Sequence, residues 1–259
     1  MNGRKISFLR RTTGLCELQR ICYRHDKGAK RTLSVENSIN LSRSKVIFKI
    51  REKLSSLSRT EGRFNSANKQ EVAKLVEFAI EGICVEKTIK ASVHQEFLVA
   101  LRICFLQIYG YQQLIYDVNA LKGELYDASD DTHEALLMSL WDNLMPDVSL
   151  TSRVSKQWTE IGFQGEDPKS DFRGMGLLGL KNLVYFSQHF ASAARHILLH
   201  SNHPTQGYPF AITGINITFI AYNLLMSGQL KTHFFNTYFS TVIYFYTLIA
   251  FGSIRNRKM

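Results

Sequence analysis

The sequence predicts an all-α fold, because apolar residues recur at helical spacing and strand patterns are missing. Segments 72–83 and 97–108 each place apolar residues along one helical face. A third helix is predicted to begin at Asp131 and to end before Pro146, which cannot continue it. Before Asn236 we find no alternation of apolar and polar residues of the kind that a half-buried strand shows.

The starts of the later helices are also predicted from local signals. Asp131 is expected to be an N-cap, with Glu134 three residues later completing a capping box. The remaining predicted helices run from a cap at Thr151 or Ser152 through Val154 and Trp158, from Leu180 through Phe186, and from Ile212 to Met226.

A glycine-rich segment, 162–179, lies between two of these helices. Glycine permits positive φ and close backbone approach, and Asp167-Pro168 adds a turn signal. The segment is therefore predicted to be an irregular, tightly folded loop. Its glycines are Gly162, Gly165, Gly174, Gly176 and Gly179.

Charge and composition divide the chain into four predicted regions. Residues 1–63 are a basic lead segment with 16 Lys/Arg and 5 Asp/Glu, a net charge of +11. Residues 64–131 form a helical N-terminal region, 132–236 the main helical domain, and 237–259 an apolar, divergent tail. The basic lead suits an anionic lipid surface or nucleic acid, and the alternative is a solvated arm without a specific ligand.

The stretch 234–254 has no charged residue and is long enough to cross a bilayer. Asn236 and Gly252 dilute its apolar character, so a packed or non-native tail is the alternative.

The four cysteines show no Cys-x-x-Cys pair, and no secretory signal is recognised at the amino terminus. We expect a cytoplasmic protein, peripheral or tail-anchored on an intracellular membrane.

Several chemistries are excluded by missing residues. Gly174-Met-Gly-Leu-Leu-Gly179 matches a dinucleotide fingerprint by letter, but no acidic residue follows Asp171 to bind a ribose. There is no phosphate-binding P-loop either. His196, His200 and His203 lack further ligands nearby in sequence, so we expect no metal site and no cofactor.

Arg173 is the remaining candidate for function. Gly174 beside it leaves room for an external anion, and Asp171 is expected to orient its guanidinium. The alternative is an internal salt bridge with Asp171 or Asp167 that braces the loop.

The run from Trp158 to Phe186 resembles the signature of ELMO-domain-containing proteins. The residues that carry the resemblance are Ile161-Gly-Phe-Gln-Gly165, Asp167-Pro168, Asp171-Phe-Arg-Gly-Met-Gly176, Leu178-Gly-Leu180, Asn182-Leu183 and Tyr185-Phe186. Shorter matches, among them Cys16-Glu-Leu-Gln-Arg20 and Ser201-Asn-His-Pro204, extend it from about Arg11 to about Asn236. The resemblance implies an irregular multi-helix bundle of ELMO-domain type with the glycine-rich loop between helices. Region 132–236 would be its ELMO-like domain, incomplete and C-terminally shortened where Thr237 begins a different pattern.

The resemblance also implies a function. Small ELMO-domain proteins act as GTPase-activating proteins toward Arf-like and Arf-family GTPases, and the arginine of their Asp-Phe-Arg-Gly motif, Arg173 here, is the proposed catalytic residue. Such a protein is an activator in trans, not an enzyme with its own nucleotide site, so GTP and Mg²⁺ belong to the partner. No nucleic-acid partner is implied. The alternatives are a non-catalytic ELMO-type scaffold and a membrane-docked adaptor.

Neighbouring residues receive supporting roles under this interpretation. Asp171 would hold Arg173, and Gln164 would face the partner or satisfy buried backbone groups. The loop path would depend on Gly165, Gly174, Gly176, Asp167 and Pro168, and its packing on the helices would depend on Trp158, Phe163 and Phe172.

Overall fold

A computed structural model describes residues 12–24, 26–57, 66–237, 245–246 and 249. Within these ranges the chain is helical and contains no strand, so the predicted all-α fold is confirmed. The described residues divide into two compact units. The first draws on Met1–Tyr116 and Gln229–Thr241, and the second on Asp117–Gly228 and Val242–Met259. The four regions predicted from charge and composition stay a prediction.

The first unit is built from the early helices and one late helix. Its members are α1 (Glu17–Tyr23), α2 (Ala29–Asn40), α3 (Lys45–Leu57), α4 (Ser66–Lys87), most of α5 (Gln95–Gly123) and α10 (Lys231–Asn236). The periodic segments 72–83 and 97–108 lie inside α4 and α5, and their inward residues, such as Ile83 and Leu101, are fully buried. All four cysteines are free and buried in this unit.

Helix α10 returns from the C-terminal side of the chain to close the first unit. Phe234 and Phe235 are fully buried, and both rings lie within about 6 Å of Tyr111, at centroid distances of 6.0 and 5.7 Å. Asn236 Oδ1 accepts a hydrogen bond from Ala29 N at 2.9 Å. The start of the uncharged stretch 234–254 is thus packed, while most of the rest lies outside the described residues.

The second unit holds the glycine-rich segment and the helices around it. Its elements are α6 (Asp131–Leu144), a first 3-10 helix (Lys156–Ile161), a second 3-10 helix (Pro168–Gly174), α7 (Gly176–His189), α8 (Ala191–Ser201) and α9 (Phe210–Met226). Helix α7 is central, since it packs against α6, α8, α9 and the second 3-10 helix.

Helix α5 is long and apolar enough to cross a bilayer by length and composition, and no other described helix passes that test. Half of its most apolar window is buried inside the protein. The core helix of a water-soluble protein has the same composition, so this finding alone does not assign α5 to a membrane.

Helix α6 begins at Asp131 and ends before Pro146 as predicted, but two predicted helix caps are wrong by one to four positions. Asp130, not Asp131, caps α6, because its Oδ1 accepts from Thr132 N at 2.8 Å. The expected capping-box partner Glu134 instead binds Arg153 at 2.7 Å. Residue Ser155 caps the first 3-10 helix.

The expected caps of that short helix have other partners. Thr151 Oγ1 donates to Gln157 Oε1 at 2.7 Å, and Ser152 Oγ donates to Val154 O at 2.5 Å. Val154, expected on the helix, precedes it and is 53% exposed.

The glycine-rich segment is irregular only in part. Gly162, with φ +85°, ends the first 3-10 helix in the left-handed conformation. However, α7 already begins at Gly176, so the helix predicted from Leu180 starts four residues earlier. Gly176 has φ +52°, and this reversal turns the chain out of the second 3-10 helix directly into α7.

Candidate functional site

Arg173 lies on the last turn of the second 3-10 helix and its side chain is exposed. Its Nε donates to Ser170 O at 3.0 Å, which fixes the plane of the guanidinium near the helix. No described carboxylate forms an ion pair with it. The two terminal nitrogens are therefore available for an external anion.

The start of this 3-10 helix is fixed by the pair Asp167-Pro168. Asp167 Oδ1 accepts from Lys169 N at 2.9 Å as an N-cap. Pro168 at the first helical position is buried and lacks the amide hydrogen that would otherwise need a partner. The pair Asp167-Pro168, from which a turn was predicted, therefore marks the start of a 3-10 helix.

A continuous set of aromatic side chains packs around Phe172, the residue just before Arg173. Phe172, next to Arg173, is fully buried, with its ring 5.6 Å from both Phe163 and Tyr126. Phe163 in turn contacts Trp158 at a centroid distance of 5.7 Å. Edge-on contacts of this kind add rigidity beyond area burial. Arg173 is thus exposed, while the residue before it is buried in a cluster of aromatic rings.

Asp171 does not meet the guanidinium as expected. Its Oδ2 accepts from Gln164 N at 2.9 Å, closing the loop between the two 3-10 helices. This hydrogen bond directs the Asp171 carboxylate to the backbone of the loop. The guanidinium of Arg173 is oriented instead by the carbonyl oxygen of Ser170. Asp171 therefore positions the loop that carries the arginine. The Gln164 side chain is exposed, so it does not satisfy buried backbone groups.

The brace that we considered for Arg173 is formed by another arginine, Arg153. Its Nε donates to Glu134 Oε2 at 2.7 Å and its Nη1 to Asp167 Oδ1 at 2.9 Å. Its Nη2 donates to Tyr126 Oη at 3.3 Å, and that hydroxyl also donates to Glu134. Sequence reasoning missed Arg153, Glu134 and Tyr126 as site residues, because the partners lie 14 to 27 positions from Arg153.

The protonation states of this network follow from its pairing. Burial and the hydrogen bond to Glu134 raise the pKa of Tyr126, so its hydroxyl stays protonated and donates. Burial opposes ionisation of Asp167, but hydrogen bonds from Lys169 N and Arg153 hold the pKa of Asp167 below its ordinary value. Burial acts against the Arg153 charge too, yet bonds to Glu134 and Asp167 raise the pKa of Arg153. Asp167 and Arg153 are therefore both charged at neutral pH, and Tyr126 is neutral.

The glycines of the glycine-rich segment differ in how much space surrounds the position of a β-carbon. A β-carbon at Gly176 would collide with the carbonyl oxygens of Lys122 and Glu124, and Leu177 N donates to Glu124 O at 2.9 Å. Gly176 thus allows the backbone to approach the end of α5. At Gly165 and Gly174 nothing lies within 4 Å of the β-carbon position, so these two leave open space at the surface.

A shallow cleft of about 380 Å³ opens beside Arg173. Most of its lining surface is apolar, and Asp167, Lys169 and Arg173 are its charged residues. The cleft is lined by Leu125, Tyr126, Asp167, Lys169, Ser170, Phe172 and Arg173. It is a surface into which a side chain of another molecule could fit next to the guanidinium.

The three histidines considered for a metal do not converge. The rings of His196 and His200 meet edge to face at 4.7 Å, while His203 Nδ1 accepts from Thr205 N and Gln206 N, each at 3.3 Å. Among the described residues, no three His, Cys, Asp or Glu side chains are grouped so that they could hold a metal ion.

Fold and site together define an all-helical protein with an exposed arginine on a short, rigid 3-10 helix. A family model described as the ELMO/CED-12 family matches residues 116–252, more than half of the chain. The chain belongs to the ELMO/CED-12 family. The match includes the second unit's helices and continues to residue 252, through most of the segment predicted as a divergent tail.

Individual relatives agree with this assignment. Human ELMO domain-containing protein 2 is 47% identical over 228 residues, which cover 88% of this chain and 71% of the relative. Human ELMO domain-containing protein 1 is 43% identical over 253 residues, covering 88% and 70%. ELMO domain-containing protein B of Dictyostelium discoideum is 38% identical over 224 residues, covering 86% and 73%. No solved structure matches the chain significantly.

Proposed function

We propose that this protein is a GTPase-activating protein for an Arf-like or Arf-family small GTPase, and that Arg173 enters the partner's nucleotide cleft. The observation that carries the proposal is the contrast between two arginines. Arg153 forms the internal brace, whereas Arg173 is exposed and has no described acidic partner. An arginine that its own fold does not neutralise is suited to an external phosphate.

The chemistry that this geometry supports is charge stabilisation. When water attacks the γ-phosphate of GTP, negative charge develops on the phosphoryl oxygens. The Nη groups of Arg173 would donate to these oxygens, while the Nε–Ser170 bond limits reorientation of the side chain. An arginine supplied in trans can raise GTP hydrolysis by about 10³- to 10⁵-fold. The partner would supply the nucleotide and the Mg²⁺.

The neighbouring residues would act through position and access. Asp171 and Asp167 hold the loop and the start of the 3-10 helix, and Phe172 anchors that helix to the aromatic core. The open space at Gly174 would let the partner's backbone approach the guanidinium. These residues are positioning residues, and Arg173 alone would touch the reacting groups.

The direct test is single-turnover GTP hydrolysis by a panel of GTP-loaded Arf-like proteins with the purified chain. We expect Arg173→Lys to reduce the stimulated rate by at least about a hundredfold, because lysine keeps the charge but lacks the planar fork. Affinity for the partner should change little. Arg195→Lys is the matched control, since Arg195 is also exposed and its Nε donates to a backbone carbonyl, Ala191 O at 3.4 Å.

The competing role is a scaffold that binds a GTPase without activating it. Stimulation that is unchanged in Arg173→Lys, or that falls equally in Arg195→Lys, would contradict the catalytic role. Thermal unfolding of Arg173→Ala separates catalysis from bracing. Because the side chain makes one hydrogen bond to a backbone carbonyl, we expect a loss of less than about 1 kcal/mol in stability.

A further inference from the structure

One surface of the first unit combines exposed cations with exposed apolar side chains. It is formed by helix α3 and the residues just before it, and we call it the basic–apolar surface. Its members are Leu41, Arg43, Lys45, Phe48, Lys49 and Lys53, all of them exposed.

Helix α3 already has an apolar face turned inward. Ile47, Ile50 and Leu54 are between 2 and 5% exposed and pack in the unit's core. The opposite face would be expected to be polar, yet Phe48 is 45% exposed there, and Leu41 just before the helix is 81% exposed. The core therefore does not explain these two side chains.

The charge of this surface is strongly positive. Residues 41–56 contain five Lys/Arg and a single acid, Glu52. On the neighbouring helix α4, Glu86 accepts from Ser44 Oγ at 2.7 Å. Neither carboxylate forms an ion pair with Arg43, Lys45 or Lys49 in the described part of the chain. The cations are not neutralised by their own fold.

Two cations of helix α3 lie over exposed aromatic rings. The guanidinium of Arg51 is 4.9 Å from the ring centre of Phe48. On the neighbouring helix α4, Phe78 is 50% exposed, and Lys53 Nζ lies 4.3 Å from its ring centre. Side chains of this type bury the ring or stem in an apolar layer while the charge stays at the polar boundary.

We propose that the basic–apolar surface docks on a bilayer that contains anionic phospholipid. The lysines and Arg43 would meet the anionic headgroups, and Leu41 and Phe48 would enter the boundary between headgroups and acyl chains. The surface matches a membrane better than nucleic acid. Phosphate binding and base stacking would use the cations and Phe48, but leave Leu41, the more exposed of the two apolar residues of this surface, without a role.

This inference goes beyond the proposed activation of a GTPase and does not depend on Arg173. It would bring the chain to a lipid surface through the first unit, while the second unit carries the arginine. Failure of one proposal therefore leaves the other intact, and Arg173→Lys is expected to bind vesicles as the unaltered chain does.

Co-sedimentation of the full chain with vesicles tests the proposal. We expect binding to vesicles of phosphatidylcholine mixed with phosphatidylserine, weak binding to phosphatidylcholine alone, and loss of the difference as salt is added. The double substitution Lys45→Glu and Lys49→Glu should lower the partition coefficient for the anionic vesicles at least about tenfold. Leu41→Ser should lower it several-fold at unchanged charge.

The matched control changes the same charge elsewhere in the unit. Lys27 and Lys90 are exposed and lie outside the basic–apolar surface, so Lys27→Glu with Lys90→Glu should affect binding much less than the α3 pair. Helical circular dichroism checks that each variant folds, and the salt titration of the unaltered chain needs no variant.

Four results would overturn the proposal. These are absent binding to the anionic vesicles, equal binding to both vesicle types, equal loss in the control pair, and binding that Leu41→Ser leaves unchanged. Stronger binding to a single-stranded RNA oligonucleotide, with no effect of Leu41→Ser, would assign the surface to nucleic acid instead.

Discussion

Two arginines of the second unit have different surroundings: Arg153 is paired with acids of its own fold, and Arg173 is exposed. Arg153 is about one quarter exposed and is surrounded by Glu134, Asp167 and Tyr126. Arg173 lines the same cleft as Asp167, but Oδ1 of that carboxylate already accepts from Arg153 and from Lys169 N. Asp167 is thus paired with the bracing arginine, and it forms no ion pair with Arg173.

Replacing the bracing arginine tests this division. Arg153→Met keeps an unbranched side chain but leaves Glu134, which is 23% exposed, without its cation. We expect a loss of about 1–3 kcal/mol in the free energy of unfolding, measured by chemical denaturation. Arg195→Met, at an exposed site, should cost less than about 0.5 kcal/mol.

A double substitution identifies the cause of that loss. In the variant with Arg153→Met and Glu134→Gln the unpaired charge of Glu134 is gone, while Asp167 keeps its hydrogen bond from Lys169 N, so stability should recover in part relative to Arg153→Met alone. Equal stability of Arg153→Met and the unaltered protein would show that the network does not brace the site.

At the residue scale, the sequence allowed the exposed arginine to be predicted but not its surroundings. The Asp-Phe-Arg-Gly run singles out Arg173 locally. Pairing of Arg153 with Glu134 and Asp167 depends on side chains 19 and 14 positions away, which no local pattern reveals. The expected contact of Asp171 with Arg173 was wrong for a related reason, since the folded loop brings Gln164 N to that carboxylate.

The second 3-10 helix is held at both ends by backbone geometry. Asp167 caps its start, and Gly176 turns the chain into α7 against the carbonyls at the end of α5. Between these points Phe172 fixes the inner side of the helix in the core. The position of Arg173 therefore depends on elements that touch no ligand.

Two glycine substitutions separate this turn from the open surface. Gly176→Ala must place a side chain at φ +52° and against two carbonyl oxygens. The conformation alone costs about 1–3 kcal/mol, and the collision adds to it, so we expect a large fall in melting temperature. Gly174→Ala, with nothing within 4 Å of the new atom, should melt within a few degrees of the unaltered protein.

Similar melting temperatures for the two variants would show that α7 can start without the glycine. Stimulated GTP hydrolysis by Gly174→Ala then reports on access, because its fold is preserved. A partner whose backbone comes close to Arg173 should be activated less by this variant.

At the element scale, helix existence was predictable and helix ends were less so. Apolar periodicity identified α4, α5, α6 and α9, because these helices bury one face against neighbours. Asp130 and Asp131 are equally good caps by residue type, so local sequence cannot choose between them. The start of α7 at a glycine of positive φ likewise depends on contact with the end of α5.

At the scale of the whole chain, the first unit depends on a helix that is distant in sequence. Helix α10 contributes Phe234 and Phe235 to the core and binds Glu36 through Lys231 Nζ at 2.8 Å. Gln107 Nε2 also donates to Phe235 O at 2.6 Å. Composition predicted a region boundary near residue 236, but it could not predict that the residues just before it pair with α2.

Removal of one α10 side chain should loosen the unit that holds all four cysteines. Phe235→Ala leaves a cavity beside Tyr111 and is expected to cost about 3–5 kcal/mol. Burial raises the pKa of Cys22 to about 12, so thiol-specific reagents react with it only when the unit opens. We expect labelling of the buried thiols to accelerate at least tenfold (about 1.4 kcal/mol of easier opening) in Phe235→Ala. Phe78→Ala, at a ring that is 50% exposed, should leave the labelling rate nearly unchanged; equal rates in both variants would show that α10 does not close the first unit.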